Sequence, residues 1–109
     1  MSRAKGNIAE KKAVDFLESE GFDVIEQNFY SRFGEIDIIV TKEDVLHFIE
    51  VKSGADFELA VQNITPRKLA KIIKTADIYM KKNAFYGDYC LDGVIVTPNG
   101  IEMVENITV

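Results

Sequence analysis

The feature of this sequence that most constrains its fold is a pair of apolar runs, "EIDIIVT" and "VLHFIEV", separated by the polar tripeptide "KED". Each run is rich in the β-branched and aromatic residues that favour strands, and the tripeptide is typical of a turn. The runs therefore predict a β-hairpin whose strands are covered on both faces. Asp37 and Glu50 interrupt these runs, and burying an unpartnered carboxylate costs on the order of several kcal/mol. Both acids therefore need an explanation.

Two helices and two further strands flank the hairpin. The apolar residues of "NIAEKKAVDFLESEG" recur at helical spacing, and Gly21 follows where a left-handed cap belongs, which predicts a helix over residues 3–20. Thr65 and Pro66 suit the N-cap and the first position of a second helix that ends near Asn83. Its predicted buried stripe comprises Leu69, Ile72, Ile73, Ala76 and Met80. "FDVIEQNFY" and "DYCLDGVIV" predict strands, "GADFELAVQNI" a loop with a short helical turn, and "IEMVENITV" a closing strand or short helix.

The order of these elements predicts one α/β domain over residues 1–109, with a central mixed β-sheet flanked by helices. At 109 residues the chain is long enough for one hydrophobic core and too short for two ordinary domains. No apolar run approaches the roughly 18–20 residues needed to cross a bilayer, and the N-terminus lacks the apolar core of a signal peptide. We therefore expect a cytoplasmic protein without a membrane partner.

The register of the hairpin decides where the two unusual acids lie. A turn centred on "ED" places Asp37 opposite Glu50 and Glu35 opposite Lys52. Because side chains alternate between faces along a strand, all four would lie on one side of the sheet. A slip of one residue would break this arrangement, so the pairing is a hypothesis about the register.

Two facing carboxylates repel each other, because their Cβ atoms are only roughly 5 Å apart in such a pair. A proton on one acid, the cation of Lys52, or a hard metal ion such as Mg²⁺ would offset the repulsion. Only the metal accounts for both acids and for their access to a substrate. The structural alternative is an ion pair between Asp37 and Lys52.

Glu10 and Lys52 are the candidates to complete such a site. Glu10 borders the apolar stripe of the first helix, on the side that points toward the sheet. Lys52 follows Glu50 by two residues and could orient the attacking water or neutralise a phosphate in the transition state. Three acids and one lysine around a hard metal suit the hydrolysis of a phosphodiester. Taken alone, Glu10 would be interpreted as a surface acid.

Charge is distributed unevenly along the chain. The formal net charge is −5, which argues against a protein that coats nucleic acid through bulk electrostatics. Residues 65–83, in contrast, contain six basic residues and one acidic residue. The candidate contacts to a phosphate backbone in this segment are Arg67, Lys68, Lys71 and Lys74. A solvated helix face is the alternative interpretation of the same pattern.

Histidine and cysteine each occur once. By alternation, His47 lies on the opposite side of its strand from Glu50, which favours a satisfied core or surface histidine. Cys90 is the only cysteine, which excludes an internal disulfide and a zinc site built from cysteines. Its neighbours in "YCLDGVIV" predict a buried, unreactive thiol.

The segments "GEIDIIV" and "FIEVKSG" resemble the core motifs of the YraN-like family of small bacterial endonuclease-like proteins. This family belongs to the PD-(D/E)XK, or restriction-endonuclease-like, superfamily. The resemblance extends over nearly the whole chain, through "GNIAEKKAVDFLESEGFDVIEQNF", "ITPRKLAKIIKTADIYM" and "LDGVIV". It implies a restriction-endonuclease-like core, in which helices flank a central mixed sheet.

The resemblance also implies roles for individual residues. Asp37 and Glu50 would bind Mg²⁺ or Mn²⁺ together with the backbone carbonyl of Val51. Lys52 matches the lysine of the superfamily motif, and Glu10 matches the helix acid that often completes the site. The implied partner is DNA, and a likeness to junction-resolving members favours a homodimer that acts on branched DNA.

The residues and the resemblance together predict a metal-dependent endonuclease whose second helix grips the phosphate backbone. The alternative is a non-catalytic nucleic-acid-binding or scaffold protein that retains the nuclease fold. Intact Glu50 and Lys52 favour the enzyme. The acidic net charge favours the alternative, as do Gly54 and Cys90 at positions where the family commonly has arginine.

Overall fold

The computed structural model describes residues 2–107, with side chains from residue 7 onward. Its helices and strands are α1 (Ser2–Ser19), β1 (Asp23–Ser31), β2 (Gly34–Lys42), β3 (Val45–Ser53), α2 (Phe57–Val61), α3 (Pro66–Lys82), β4 (Tyr89–Thr97) and β5 (Gly100–Val104). Each predicted helix and strand is present, and the two ambiguous segments form α2 and β5. The ends of the predicted domain, residues 1 and 108–109, lie outside the described residues.

The five strands form one sheet in the order β1-β2-β3-β4-β5. β3 and β4 run parallel, whereas the other neighbouring pairs are antiparallel. A parallel pair needs a long crossover connection, which α2 and α3 supply. The predicted α/β class is therefore confirmed, and this central mixed sheet flanked by helices is compatible with a restriction-endonuclease-like core. No helix in the described part of the chain is long and apolar enough to cross a membrane.

Two apolar cores cover the two faces of the sheet. The core under α1 consists of Ala9, Ala13, Leu17, Phe22, Ile38, Val40, Ile49, Val94 and Val96. The core under α3 consists of Phe29, Ile36, Ile39, Leu46, Phe48, Ile72, Ala76, Tyr79 and Leu91. Because both faces are covered, β2 and β3 are apolar on both sides, as their sequences predict.

Helix α3 packs against the sheet through a stripe that differs in part from the predicted one. Ile72 is buried as predicted, but Ile73 is 45% exposed, so the prediction for Ile73 was wrong. Thr75 and Tyr79 are buried in its place. The hydroxyl of Thr75 lies 2.8 Å from that of Ser31, so the face of the helix that packs on the sheet includes a polar contact.

Candidate metal centre

The β2–β3 hairpin positions the two unusual acids. Residues pair in the predicted register from the turn as far as Ile38 and Ile49, so the next facing positions are Asp37 and Glu50. The two turn residues have φ angles of 52° and 66°, the left-handed conformation that a two-residue type I′ turn requires. The predicted register is therefore confirmed for these pairs, and the hydrogen bond between the side chains of Asp37 and Glu50 agrees with its continuation.

Asp37 lies at the centre of the candidate site. It is only 9% exposed, and its Oδ2 accepts a hydrogen bond of 2.8 Å from the amide of Val51. Burial, followed by the hydrogen bond and negative charge of Glu50, raises the pKa of Asp37 to about 8. At neutral pH the pair therefore retains a proton unless a cation takes the proton's place.

Lys52 lies beside these acids, as its position two residues after Glu50 predicts. Its Nζ is 3.9 Å from Oε2 of Glu50, and the two side chains are 25% and 14% exposed. The positive charge of Lys52 lowers the pKa of Asp37, but it is the weakest of the influences on that group. The lysine alone therefore does not offset the cost of burying the two acids together.

Glu10 lies on α1, at the rim of the site. With the amide of Asn28 donating, Nδ2 of Asn28 lies 3.1 Å from Oε1 of Glu10 and 2.9 Å from Oε2 of Glu35. Burial and the charges of Asp37 and Glu35 raise the pKa of Glu10. Asp37 acts on Glu10 through its charge, whereas the hydrogen bonds of Asp37 are with Glu50 and Val51. Glu10 therefore belongs to the outer part of the site.

A pocket of about 310 Å³ connects these acids to the basic helix. It is lined by Ala9, Glu10, Gly34, Glu35, Asp37, Glu50, Val51, Lys52, Ser53, Lys68, Lys71 and Ile72. Of the four predicted phosphate contacts, Lys68 and Lys71 line this carboxylate pocket, whereas Arg67 and Lys74 are exposed outside it. The fold thus brings the predicted acids, Lys52 and part of the basic segment together.

The turn between β1 and β2 extends the basic surface beside the carboxylate pocket. The guanidinium of Arg32 lies 4.9 Å from the centre of the Phe33 ring, and Nζ of Lys74 lies 5.1 Å from it. Such cation–π contacts hold both charges near the turn. Arg32, Lys71 and Lys74, together with Lys68, form what we call the basic rim.

A second cluster of polar side chains lies toward the other end of β3. His47 and Cys90 are neighbours in the parallel register of β3 and β4, and Nδ1 of His47 lies 2.6 Å from Oδ2 of Asp92 and 2.9 Å from Sγ of Cys90. His47 is therefore satisfied, as predicted. Burial and the neighbouring Asp92 raise the pKa of Cys90 to about 12. The thiol is thus uncharged at neutral pH, but its surroundings are more polar than its sequence neighbours suggest.

Sequence reasoning did not assign a role to Asn28, Arg32 or Asp92. Asn28 has a φ of 55°, a conformation that asparagine tolerates, but nothing in its sequence neighbourhood indicates the two glutamates it contacts. Asp92 could have been found, because it interrupts the apolar run "CLDGVIV" in the way that Asp37 interrupts "EIDIIV". A search for acidic residues that interrupt apolar runs would therefore have identified both clusters.

Comparison with known sequences identifies the family. Residues 9–96, which include every residue lining the carboxylate pocket, match the "Uncharacterised protein family UPF0102". The chain belongs to the UPF0102 family. It is 62% identical over 108 residues to a UPF0102 protein of Sulfurimonas denitrificans, with 99% of each chain covered. The identity is 51% over 108 residues to a UPF0102 protein of Wolinella succinogenes, again with 99% of each chain covered.

A relative from a third organism is also a UPF0102 protein. A UPF0102 protein of Helicobacter pylori is 51% identical over 106 residues, which cover 97% of this chain and 92% of the relative. The resemblance to YraN-like proteins is thus confirmed at the level of the UPF0102 family. The names of these relatives state no activity, so the functional conclusion depends on the chemistry of the carboxylate pocket.

Proposed function

We propose that this UPF0102 protein is a Mg²⁺- or Mn²⁺-dependent endonuclease of the PD-(D/E)XK type that hydrolyses DNA phosphodiester bonds. The observation that carries the proposal is the contact between buried Asp37 and Glu50, which helps to raise the pKa of Asp37 to about 8. Lys52 lies beside Glu50, and the pKa of Asp37 is raised even in the presence of its positive charge. A bound cation therefore explains the two acids better than an ion pair does.

The donors in the carboxylate pocket suit a small, hard cation. Two donors are the carboxylates of Asp37 and Glu50. The third proposed donor is the backbone carbonyl of Val51, a residue that lines the same pocket. Mg²⁺ and Mn²⁺ prefer oxygen donors, and Mg²⁺ usually takes one or two protein carboxylates and retains several water molecules. Glu10, at the rim, would act through one of these water molecules.

The side chains of the pocket would have different roles in the reaction. When bound, the divalent ion would lower the pKa of a water molecule and stabilise negative charge on the phosphate. Lys52, held near Glu50, would donate a hydrogen bond to the attacking water or to a phosphate oxygen. The amide of Val51 fixes the orientation of the Asp37 carboxylate. The amide of Asn28 bridges the two outer glutamates, Glu10 and Glu35.

The basic rim would supply the contacts to the DNA backbone. Its four cations stand beside the carboxylate pocket, so a phosphate could contact them while another phosphate lies at the acids. Because the overall net charge is −5, attraction to DNA would depend on this local basic surface. The proposed substrate is a branched or repair intermediate, and a homodimer would present two pockets to it.

The proposal is tested by a cleavage screen of the wild-type protein. Labelled linear duplex, single-stranded and four-way branched DNA are incubated with Mg²⁺ or Mn²⁺, and with a chelator as the control. We expect cleavage products that require the metal. DNA binding without cleavage of any substrate would instead support a non-catalytic nucleic-acid-binding protein that retains the fold.

Charge reversal on α3 tests the role of the basic rim. Lys71→Glu combined with Lys74→Glu is expected to weaken DNA binding and to reduce the slope of log affinity against log salt by about one for each phosphate that the rim no longer binds. Fluorescence anisotropy over a salt series measures both effects. The matched control makes the same charge change at the other end of the helix, with Lys81→Glu and Lys82→Glu. Equally weakened binding in the two double variants would show that net charge alone is responsible.

A further inference from the structure

We propose that His47, Cys90 and Asp92 form a second metal site, which takes a borderline-soft divalent cation such as Zn²⁺. Nδ1 of His47, Sγ of Cys90 and Oδ2 of Asp92 lie within 4.8 Å of one another. Imidazole, thiolate and carboxylate are the ligands that zinc uses in proteins, whereas the carboxylate pocket offers oxygen donors. The two sites would therefore select different metals, and this proposal does not depend on the proposed nuclease function.

The topology of the sheet assembles this cluster. The parallel register of β3 and β4 places His47 beside Cys90, and Asp92 follows two residues later on the same side of β4. The ring of His47 packs edge-on against Phe22, with their centroids 5.1 Å apart. An ion bound here would cross-link β3 to β4.

The polar atoms of the three groups converge on one point. Nδ1 of His47 lies within hydrogen-bonding distance of both Asp92 and Cys90, but it carries at most one hydrogen atom. If Nδ1 donates to Asp92, the thiol of Cys90 donates to the same carboxylate oxygen over 3.5 Å, so both hydrogen atoms point toward Oδ2. A cation at the point of convergence would accept a lone pair from each group.

The distances require a small adjustment for zinc. Around a tetrahedral ion with bonds of about 2.0–2.3 Å, neighbouring ligand atoms lie roughly 3.3–3.7 Å apart. The separation between Cys90 Sγ and Asp92 Oδ2 is already 3.5 Å, so only the imidazole must withdraw. The side chain of His47 is 16% exposed, in contrast to 0% for that of Asp92. It is therefore the ligand with room to move.

The surroundings of the cluster favour a cation. Oδ1 of Asp92 accepts a hydrogen bond of 2.6 Å from the amide of Asn106, which orients the carboxylate so that Oδ2 is directed at His47 and Cys90. A pocket of about 370 Å³ opens onto the cluster, and Glu43 and Glu105 contribute acidic side chains to its wall. The ammonium of Lys42, also on this wall, donates to a backbone carbonyl. The pocket provides a path of entry and space for a water ligand.

Zinc and cobalt binding test the second site directly. Zn²⁺ affinity is measured by competition with a chromophoric chelator, and Co²⁺ serves as the spectroscopic probe. Both titrations use the wild-type protein and the Asp37→Asn variant, in which the carboxylate pocket is disabled. We expect one Zn²⁺ per chain in both proteins, and a Co²⁺ complex with thiolate-to-metal charge-transfer absorption.

Ligand variants identify the residues responsible. Cys90→Ser, which is nearly isosteric, is expected to abolish the charge-transfer absorption and to weaken Zn²⁺ binding by about 100-fold or more, since even outer-shell changes cost roughly 10–100-fold. His47→Gln is expected to weaken Zn²⁺ binding to a similar extent, and circular dichroism verifies that both variants fold. A Co²⁺ complex without the absorption, unchanged affinity in Cys90→Ser, or zinc binding that disappears in Asp37→Asn would each overturn the proposal.

Discussion

Glu50→Gln is expected to lower the rate of metal-dependent DNA cleavage by about 10³-fold or more, because it removes one of the two carboxylates that would hold the ion. Glutamine preserves the size and shape of the side chain, and its amide can donate to Asp37. The free energy of unfolding of the metal-free protein should therefore not fall. The variant would lose turnover and retain DNA binding through the basic rim.

Single-turnover cleavage and anisotropy on the same DNA separate these effects. The matched control is Glu102→Gln, which makes the same change at an exposed position on β5 and should cleave at the wild-type rate. Full cleavage by Glu50→Gln would exclude the assigned site. A parallel loss of cleavage and DNA binding would indicate a damaged surface and not a missing metal ligand.

In the metal-free protein, Asp37→Asn is expected to raise the free energy of unfolding above about pH 8 by on the order of a few kcal/mol. The pKa of Asp37 is raised from 3.8 to about 8 by burial and by Glu50. Between these values the folded state keeps a proton that the unfolded state has lost, so the stability of the wild-type protein falls as the pH rises. Asparagine does not ionise, and its carbonyl can still accept from the amide of Val51.

Urea unfolding of both proteins between about pH 5 and pH 9 measures this difference. The gap between wild type and Asp37→Asn should widen up to about pH 8 and then remain constant. Saturating Mg²⁺ should stabilise only the wild-type protein at high pH, because the ion replaces the proton. The control is Asp15→Asn, at a helix position whose side chain is 63% exposed. Parallel pH profiles for wild type and Asp37→Asn would show that Asp37 carries no raised pKa.

Much of the fold was predictable because the strongest signals are local. The apolar runs and the polar turn specify the β2–β3 hairpin, and the two-residue turn fixes the register that brings Asp37 to Glu50. Thr65 caps α3 through a hydrogen bond of 3.3 Å from the amide of Lys68, as its type and position predict. These features need only neighbouring residues, so one sequence suffices to find them.

The features that sequence reasoning missed depend on contacts between distant segments. Asn28 gains its role because the chain returns to place Glu10 of α1 and Glu35 of β2 beside it. Thr75 is buried and contacts Ser31 of β1, whereas Ile73 is exposed, and this choice between the two depends on a distant strand. The cluster of His47 with Cys90 needs the parallel register of β3 and β4, which no pattern in either strand specifies.

The central claim, that Asp37 and Glu50 form a divalent metal site, is tested most directly by calorimetric titration of Mn²⁺, which requires no choice of DNA substrate. The titration is performed on Cys90→Ser, which removes a ligand of the second cluster, and on Cys90→Ser combined with Asp37→Asn. We predict saturable binding of Mn²⁺ by the first protein and its loss in the second. Equal binding by both proteins, or none by either, would contradict the assignment of the carboxylate pocket as a preformed metal centre.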